Sequence, residues 1–199
     1  NGLLELGLAQ PLTNPAIDRL PMGGNDPAVE DLRDSRGIAL GDFDGDGDLD
    51  AVVGNEGSGE VGDEELSRNI IYRNVDGAFE FAAFTIGDAT DIERTLDIAA
   101  ADIDNDGDTD IIAGNFGGPG VYYLNDGTAT LDAGNFPTQV AYSSVNRRTW
   151  AIGIADFDGD GDLDNLEANT GSSAQSGQVN SLYLNRLLER NNLEFSREI

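Results

Sequence analysis

Three aspartate-rich loops carry the chemistry that this sequence can do. In each loop nine consecutive residues place aspartate at positions 1, 3, 5, 7 and 9 and glycine at position 6. The fifteen aspartates are Asp42, Asp44, Asp46, Asp48 and Asp50 in the first loop, Asp102, Asp104, Asp106, Asp108 and Asp110 in the second, and Asp156, Asp158, Asp160, Asp162 and Asp164 in the third. Carboxylates this crowded repel one another unless a cation lies between them. The repetition of one pattern in three loops therefore favours cation sites over solvated acidic turns.

The residue types restrict which cation the loops can bind. The chain has no histidine and no cysteine, which excludes thiolate zinc sites, histidine-ligated metals, disulfides and catalytic groups that depend on histidine. Calcium takes about six to eight oxygen ligands at flexible angles, whereas magnesium demands a compact octahedron. We expect about three Ca²⁺ ions. By analogy with EF-hand loops, side chains at positions 1, 3, 5 and 9 are the predicted ligands, and position 7 contributes its main-chain carbonyl.

An EF-hand is the natural rival interpretation, because it also uses a loop of alternating acidic ligands. It requires a bidentate glutamate at position 12 and flanking helices. Position 12 is Val53 in the first loop and Ala113 in the second, and only Glu167 in the third loop fits. The sequence leaves two interpretations of Glu167 open. It is either a further carboxylate ligand or a polar residue on an outward strand face.

The loops belong to a longer repeat that must position them. Residues 38–55, 98–115 and 152–169 align without gaps, with spacings of 60 and 54 residues. An apolar and aromatic run ending in asparagine follows each of them, at 69–74, 120–125 and 180–185, and a fourth run follows at 78–86, within 128–144 and at 193–199. Four short β-type runs per repeat are typical of a β-propeller blade. The fold class predicted is all-β with β-propeller blades; a sandwich with acidic hairpins is the alternative.

The repeats also predict the division of the chain. Residues 1–35 are expected to hold the outer strand of a preceding blade and a connection, followed by blade 1 at 36–95, blade 2 at 96–148 and blade 3 at 149–199. Closed propellers have roughly four to eight blades. Three blades and a spare strand therefore predict either additional blades in further chain or self-assembly that covers the exposed blade faces.

Charge and hydropathy exclude two kinds of partner. Thirty-eight acidic residues against 11 arginines and no lysine give a net charge of −27, so binding to nucleic acid through a basic face is not expected. No apolar run is long enough for membrane insertion. Arg147, Arg148 and Trp150 form the one cationic and aromatic cluster in the sequence. They could contact a sugar or an acidic partner, but we favour packing of Trp150 between blades, with the arginines offsetting nearby acid.

The whole repeat resembles a known family. A hydrophobic strand, the pattern Asp-Phe/Ile-Asp-Gly/Asn-Asp-Gly-Asp-x-Asp, a short apolar strand and Gly-Asn together resemble FG-GAP/VCBS-type repeats, the calcium-loop blades of integrin α-subunit propellers and of many secreted bacterial proteins. The resemblance implies that each loop joins the first and second strands of a blade on the lower face. It also implies that ligands use the opposite face. The third repeat departs from the pattern, because residues 165–168 (Asn-Leu-Glu-Ala) replace an apolar strand.

These observations predict a calcium-binding, extracellular or cell-surface module that is secreted and non-catalytic. Its expected roles are adhesion, ligand binding or structural assembly, with a protein or carbohydrate ligand on the face opposite the calcium loops. No catalytic residue is predicted. The alternative function is a scaffold or substrate-binding part of a larger secreted enzyme, such as a polysaccharide-acting lyase or hydrolase.

Overall fold

The computed structural model describes most of the chain after residue 33. The described residues are 34–57, 68–86, 94–128, 131, 136, 138–143, 146–171, 179–186 and 195–198. They form twelve β-strands and no helix, so the predicted all-β fold is confirmed. Within these ranges there is no helix of the length and apolarity that a membrane span requires. The spare outer strand predicted at the start of the chain lies outside the described residues.

The strands fall into three consecutive groups of four, as expected for propeller blades. Blade 1 holds β1 (Ser35–Gly41), β2 (Asp50–Asn55), β3 (Ile70–Val75) and β4 (Ala78–Thr85). Blade 2 holds β5 (Thr95–Ala101), β6 (Asp110–Gly118), β7 (Val121–Leu124) and β8 (Thr138–Ala141). Blade 3 holds β9 (Arg147–Ala155), β10 (Asp164–Asn169), β11 (Ser181–Asn185) and β12 (Phe195–Glu198). Within each blade, neighbouring strands in the chain pair antiparallel.

Blades 2 and 3 are also joined by main-chain pairing. The long strand β6 continues past its partner β7 and pairs with the start of β9, where Phe116 lies opposite Arg148. Blade 1 forms a separate four-stranded sheet, whereas blades 2 and 3 form one sheet through this short pairing. The repeat period did not predict the junction, because it depends on a two-residue pairing between blades.

Each aspartate loop closes a tight connection between the first and second strands of its blade. The residue before position 1 pairs with position 9 in all three blades, as Gly41 with Asp50, Ala101 with Asp110 and Ala155 with Asp164. The second strands of the first two blades are buried along their first six residues. A buried, hydrogen-bonded strand pair thus fixes both ends of each loop, which is what a preorganised ion site requires.

The core lies between the blades. Between blades 1 and 2, Phe43, Val52 and Ile71 pack in one cluster with Ile98 and Ile111. Between blades 2 and 3, Ile103, Ile112, Tyr122, Tyr142 and Tyr183 form a second cluster, with Ile152 and Ile154 packed against it. Position 2 of the first two loops is part of this core, since Phe43 and Ile103 are buried. Blade packing therefore anchors the loops from inside.

Candidate metal sites in the aspartate loops

The structure brings three carboxylates together in each loop. In every loop the residues at positions 1, 3 and 9 each offer an oxygen, and the three oxygens lie within 4.8 Å of one another. The groups are Asp42, Asp44 and Asp50; Asp102, Asp104 and Asp110; and Asp156, Asp158 and Asp164. Among the described residues, three sites of the same composition could thus hold a metal ion. Their donors are all carboxylate oxygens, which suit a hard divalent cation.

Position 9 is the structural anchor of each loop. Asp50, Asp110 and Asp164 are fully buried. One carboxylate oxygen of each accepts the backbone N–H of position 2, at 3.0, 2.8 and 2.7 Å in loop order. The other oxygen accepts the backbone N–H of the asparagine at or next to the end of the third strand, at 2.8 Å in every blade. Two main-chain donors thus hold each position 9 carboxylate in place.

Main-chain donors also wind the loop around positions 1 and 3. The glycine at position 6 donates its N–H to the carboxylate at position 1, at 3.0, 3.0 and 3.1 Å. The residue at position 5 donates to the carboxylate at position 3, at 3.2 to 3.3 Å. Positive φ angles of 95–101° at Gly47, Gly107 and Gly161 permit this winding, because glycine adopts that conformation without a steric penalty.

The other two predicted positions lie outside these groups. At position 5, Asp46, Asp106 and Asp160 accept the backbone N–H of position 7, at 2.9 to 3.0 Å. At position 7, Asp48 accepts the N–H of Asp76 in a hairpin turn, and Asp162 accepts the side-chain amide of Asn105 at 2.8 Å. The carboxylates of Asp48 and Asp162 thus brace their loops against neighbouring structure.

Two arginines partly neutralise the first and third loops. Arg73 Nε lies 2.7 Å from Asp44 Oδ2, and Arg186 lies 3.3 Å from Asp158 Oδ2. Both contacts involve position 3 of their loops. The structure shows no arginine in ion-pair contact with the second loop among the described residues. The second loop therefore has the least compensated negative charge.

Burial is the main cause of the pKa shifts in the loops. Burial raises the pKa of Asp110 to about 7, against the lowering effect of the N–H donors of Asn125 and Ile103. Burial, followed by the charge of Asp106, raises the pKa of Asp104. In the first loop, burial raises the pKa of Asp50. A bound divalent cation would favour the charged forms and so lower these pKa values.

Glu167 adopts neither of the two arrangements that the sequence left open. Its side chain is fully buried on β10 and is not among the three carboxylates grouped in the third loop. The hydroxyl of Thr149 lies 3.2 Å from Glu167 Oε1, and Asn169 Nδ2 donates to Oε2 at 3.3 Å. Burial and then the charge of Glu167 raise the pKa of Tyr142. Glu167 thus belongs to a polar group inside the junction of blades 2 and 3.

The favoured packing of Trp150 between blades was wrong. Trp150 is 52% exposed rather than packed between blades. Arg147 is buried and donates to the carbonyl of Val179 at 3.2 Å. Arg148 lies over the ring of Phe116, with its Cζ 4.4 Å from the ring centroid. The irregular pairing of β6 with β9 places this ring opposite Arg148, and no sequence pattern indicated that pairing.

Sequence reasoning missed two further kinds of residue. The first is the pair of arginines, Arg73 and Arg186, that contact the position 3 carboxylates. Their location depends on the strands that lie next to each loop. The second is the asparagine at or next to the end of each third strand. Asn125 Nδ2 donates to the carbonyl of Phe43, and Asn185 Nδ2 donates to that of Ile103, at 2.9 and 2.8 Å. A signal for these asparagines was present, because all three third runs end in Asn.

Comparison with known proteins agrees with this geometry. A family model described as an FG-GAP-like repeat matches residues 42–113 and again 102–166. The two matches begin at position 1 of the first and second loops, and together they cover all three. No curated protein matches the chain. Three in-register aspartate loops on four-stranded blades, together with a family match over most of the described residues, place this chain in the FG-GAP-like repeat family.

Proposed function

We propose that this protein is a calcium-binding β-propeller module that works outside the cell in adhesion, ligand binding or assembly. The observation that carries the proposal is the convergence of positions 1, 3 and 9 in all three loops to within 4.8 Å. Carboxylate-only groups, in loops that also hold a position 5 carboxylate and a position 7 carbonyl, suit the high coordination number of calcium better than the compact octahedron of magnesium.

An extracellular location follows from the affinity expected of such sites. Extracellular modules bind calcium with dissociation constants of about 10⁻⁴ to 10⁻³ M, which suits a millimolar-calcium exterior. At roughly one hundred times the dissociation constant, each occupied site would stabilise the fold by about 2.7 kcal/mol. Calcium would then act as a structural ion that fixes the blade loops.

The test is a calorimetric titration of the chelator-treated chain with Ca²⁺ and with Mg²⁺, joined to thermal melting. We expect three calcium sites, weaker magnesium binding, and a melting temperature that falls in EDTA and recovers with calcium. Asp42→Asn, Asp102→Asn and Asp156→Asn should each remove one site. Asp126→Asn is the matched control, because Asp126 is exposed and its contact with the N–H of Thr128 survives in asparagine. A melting curve unaffected by EDTA and calcium would refute the proposal.

A specific observation also favours a ligand on the face opposite the loops. Arg94 and Arg148 both lie over the ring of Phe116, with Cζ atoms 4.2 and 4.4 Å from its centroid. Trp150 is exposed on the same strand as Arg148. These residues lie at the end of the first and second strands remote from the aspartate loops. An exposed indole beside arginines suits an acidic carbohydrate, because the ring stacks on the sugar and the arginine binds its carboxylate.

Titration with acidic oligosaccharides, followed by tryptophan fluorescence, tests this second proposal. Trp150 is the one tryptophan of the chain, so the signal reports directly on this face. We expect saturable quenching by uronic acid oligomers and none by neutral oligomers of the same length. Arg148→Gln should weaken the response, whereas Arg73→Gln, at the loop end of the molecule, should not. Equal responses to the acidic and neutral oligomers would refute an acidic ligand.

A further inference from the structure

The two junctions between blades share one design. We call the face of a blade that packs on the following blade its trailing face, and the face that packs on the preceding blade its leading face. The trailing face of blade 1 includes Ala39, Phe43 and Val52, which pack with Ile98 and Ile111 of the leading face of blade 2. The corresponding positions pack between blades 2 and 3, where Ala99, Ile103 and Ile112 meet Ile152. The residues of these two junctions therefore predict what would pack on the leading face of blade 1 or the trailing face of blade 3.

A glycine and a threonine fit together at both junctions. A Cβ on Gly54 would lie 2.8 Å from Thr95 Cγ2, and one on Gly114 would lie 2.7 Å from Thr149 Cγ2. The glycine in the second strand thus makes room for a threonine methyl from the next blade. The threonine hydroxyl contacts an asparagine of its own blade, at 3.0 Å for Thr95 and 2.9 Å for Thr149. The methyl is therefore the part that faces the neighbouring blade.

An asparagine also links both junctions across the loops. Asn125 donates to the position 2 carbonyl of blade 1, and Asn185 donates to that of blade 2. Each also donates to the position 8 carbonyl of its own loop, at 3.2 and 3.3 Å. Asn74 of blade 1 makes the same contact within its loop, to Leu49 at 3.0 Å. In the described residues no preceding blade supplies the second acceptor of Asn74.

Part of the outer face at each end of the three blades is exposed, although the corresponding residues of the inner junctions are buried. On the trailing face of blade 3, Phe157 is 46% exposed, whereas its counterpart Phe43 is 1% exposed. On the leading face of blade 1, Ile38 is 63% exposed, whereas its counterpart Ile98 is 4% exposed. Three more apolar side chains are exposed on these two faces, namely Leu166 on blade 3 and Leu40 and Leu49 on blade 1.

On the same leading face, the second and third strands of blade 1 have buried side chains, unlike the first strand and the loop. Ala51, Val53, Ile70 and Tyr72 are buried and form a cluster of their own. The exposed apolar surface of blade 1 therefore lies on its first strand and its aspartate loop. At the inner junctions this first strand supplies the threonine whose methyl lies against the glycine of the preceding blade.

We propose that the trailing face of blade 3 docks on the leading face of blade 1 in a second copy of this chain. The two faces differ from the inner junctions at one pair of contacting positions, and the two changes compensate each other in size. Ala168 of blade 3 stands where Gly54 and Gly114 stand, and Ser35 of blade 1 stands where Thr95 and Thr149 stand. Alanine has the methyl group that glycine lacks, and serine lacks the methyl group that threonine has, so the two pairs fill the same space.

Two further contacts of the inner junctions have counterparts at these faces. Ser35 keeps the hydroxyl contact within its blade, at 2.8 Å from Asn55 Oδ1, and both Ser35 and Ala168 are exposed. Asn74 would donate to the carbonyl of Phe157, as Asn125 does to that of Phe43. Two copies joined this way twice close a ring of six blades, within the range of about four to eight that propellers adopt. A closed two-fold ring leaves neither face exposed.

The test measures mass and the coupling between Ser35 and Ala168. We expect the chain in solution to have twice its mass of 21.0 kDa by light scattering and sedimentation. Ser35→Thr adds a methyl that overlaps Ala168, and such overpacking should weaken dimerisation by about tenfold or more. Ala168→Gly on the same chain should restore it. Thr95 and Thr149 show that threonine keeps the hydroxyl contact of this position, so the folded monomer should be unaffected.

Two outcomes support the proposal and three overturn it. A dimer that Ser35→Thr weakens and Ala168→Gly rescues supports it. Ile38→Asp and Phe157→Asp should each give monomers, and a mixture of the two should recover pairs through the one intact junction. A wild-type monomer would overturn the proposal in favour of a further blade as the occupant. Open-ended polymers would exclude the closed ring. Independent effects of Ser35→Thr and Ala168→Gly would show that the two positions do not meet.

Discussion

Asp110 is the loop residue at which proton binding and metal binding oppose each other most directly. Its pKa is about 7 in the folded chain because it is buried, against an ordinary value of 3.8. Between these values the metal-free fold binds more protons than the unfolded chain, so its free energy of unfolding decreases as the pH rises. A cation needs the carboxylate. We therefore expect metal affinity at the second loop to fall as the pH drops below about 7.

Calorimetry in two buffers of different ionisation enthalpy measures this linkage. Metal binding just below neutral pH should release a proton from wild-type protein. The control variant Asp126→Asn should release the same number of protons, because it removes a nearby charge but leaves the loop carboxylates intact. Metal affinity that does not change between roughly pH 6 and pH 8 would contradict the expected role of Asp110.

Arg73 is expected to compete with the metal in the first loop. Its guanidinium lies 2.7 Å from an oxygen of Asp44, which is one of the three grouped carboxylates. Blade 2 has Leu124 at the same position. Arg73→Leu should therefore raise metal affinity at the first loop by about fivefold, as expected for a partly exposed charge pair worth roughly 1 kcal/mol.

An NMR titration that follows the amide of Gly47 reports on the first loop, because that N–H contacts Asp42. Arg68→Leu removes an arginine near the opposite end of the same strand and serves as the control. Unchanged or weaker binding after Arg73→Leu would mean that the ion pair helps to order the loop more than it competes with the cation.

At the scale of strands and blades, close packing at Gly114 can be tested separately from any ion. Gly114→Ala would place a methyl 2.7 Å from Thr149 Cγ2 and 3.1 Å from Ile152 Cδ1. Overpacking of this kind destabilises a core by about 1–3 kcal/mol. Adding Thr149→Ser removes the overlapping methyl and keeps the hydroxyl, so we expect the double variant to recover most of the loss. Urea denaturation of the four proteins gives the coupling, and purely additive free energies would contradict the contact.

The sequence predicted the features that depend on local periodicity. The spacing of aspartates, glycines and apolar runs predicted four strands per repeat and a turn at position 6, where the structure has positive φ at Gly107 and its counterparts. It could not place Glu167, because the partners of that side chain come from other strands, as Thr149 shows. It also could not predict that Trp150 is exposed, since exposure depends on the β6–β9 pairing. Neighbours across blades are set by tertiary packing rather than by the repeat.

At the scale of the whole molecule, the net charge of −27 makes the loops a source of repulsion until ions fill them. The loops hold 15 of the 38 acidic residues, and three divalent ions would reduce the net charge to −21. Carboxylates at the protein surface repel one another over a distance that salt shortens to about 10 Å at 0.1 M. The stability of the metal-free fold should therefore increase with monovalent salt, and this dependence should be smaller once the loops are filled.

Thermal melting over a series of sodium chloride concentrations, in EDTA and in calcium, measures the difference. We expect the melting temperature to rise more steeply with salt in EDTA, because more uncompensated charge is then available to be screened. Tetramethylammonium chloride is the control, since it screens charge but is too large to enter the loops. A rise with sodium alone would indicate weak sodium binding, and equal slopes in EDTA and calcium would mean that the fifteen loop carboxylates are not what limits stability.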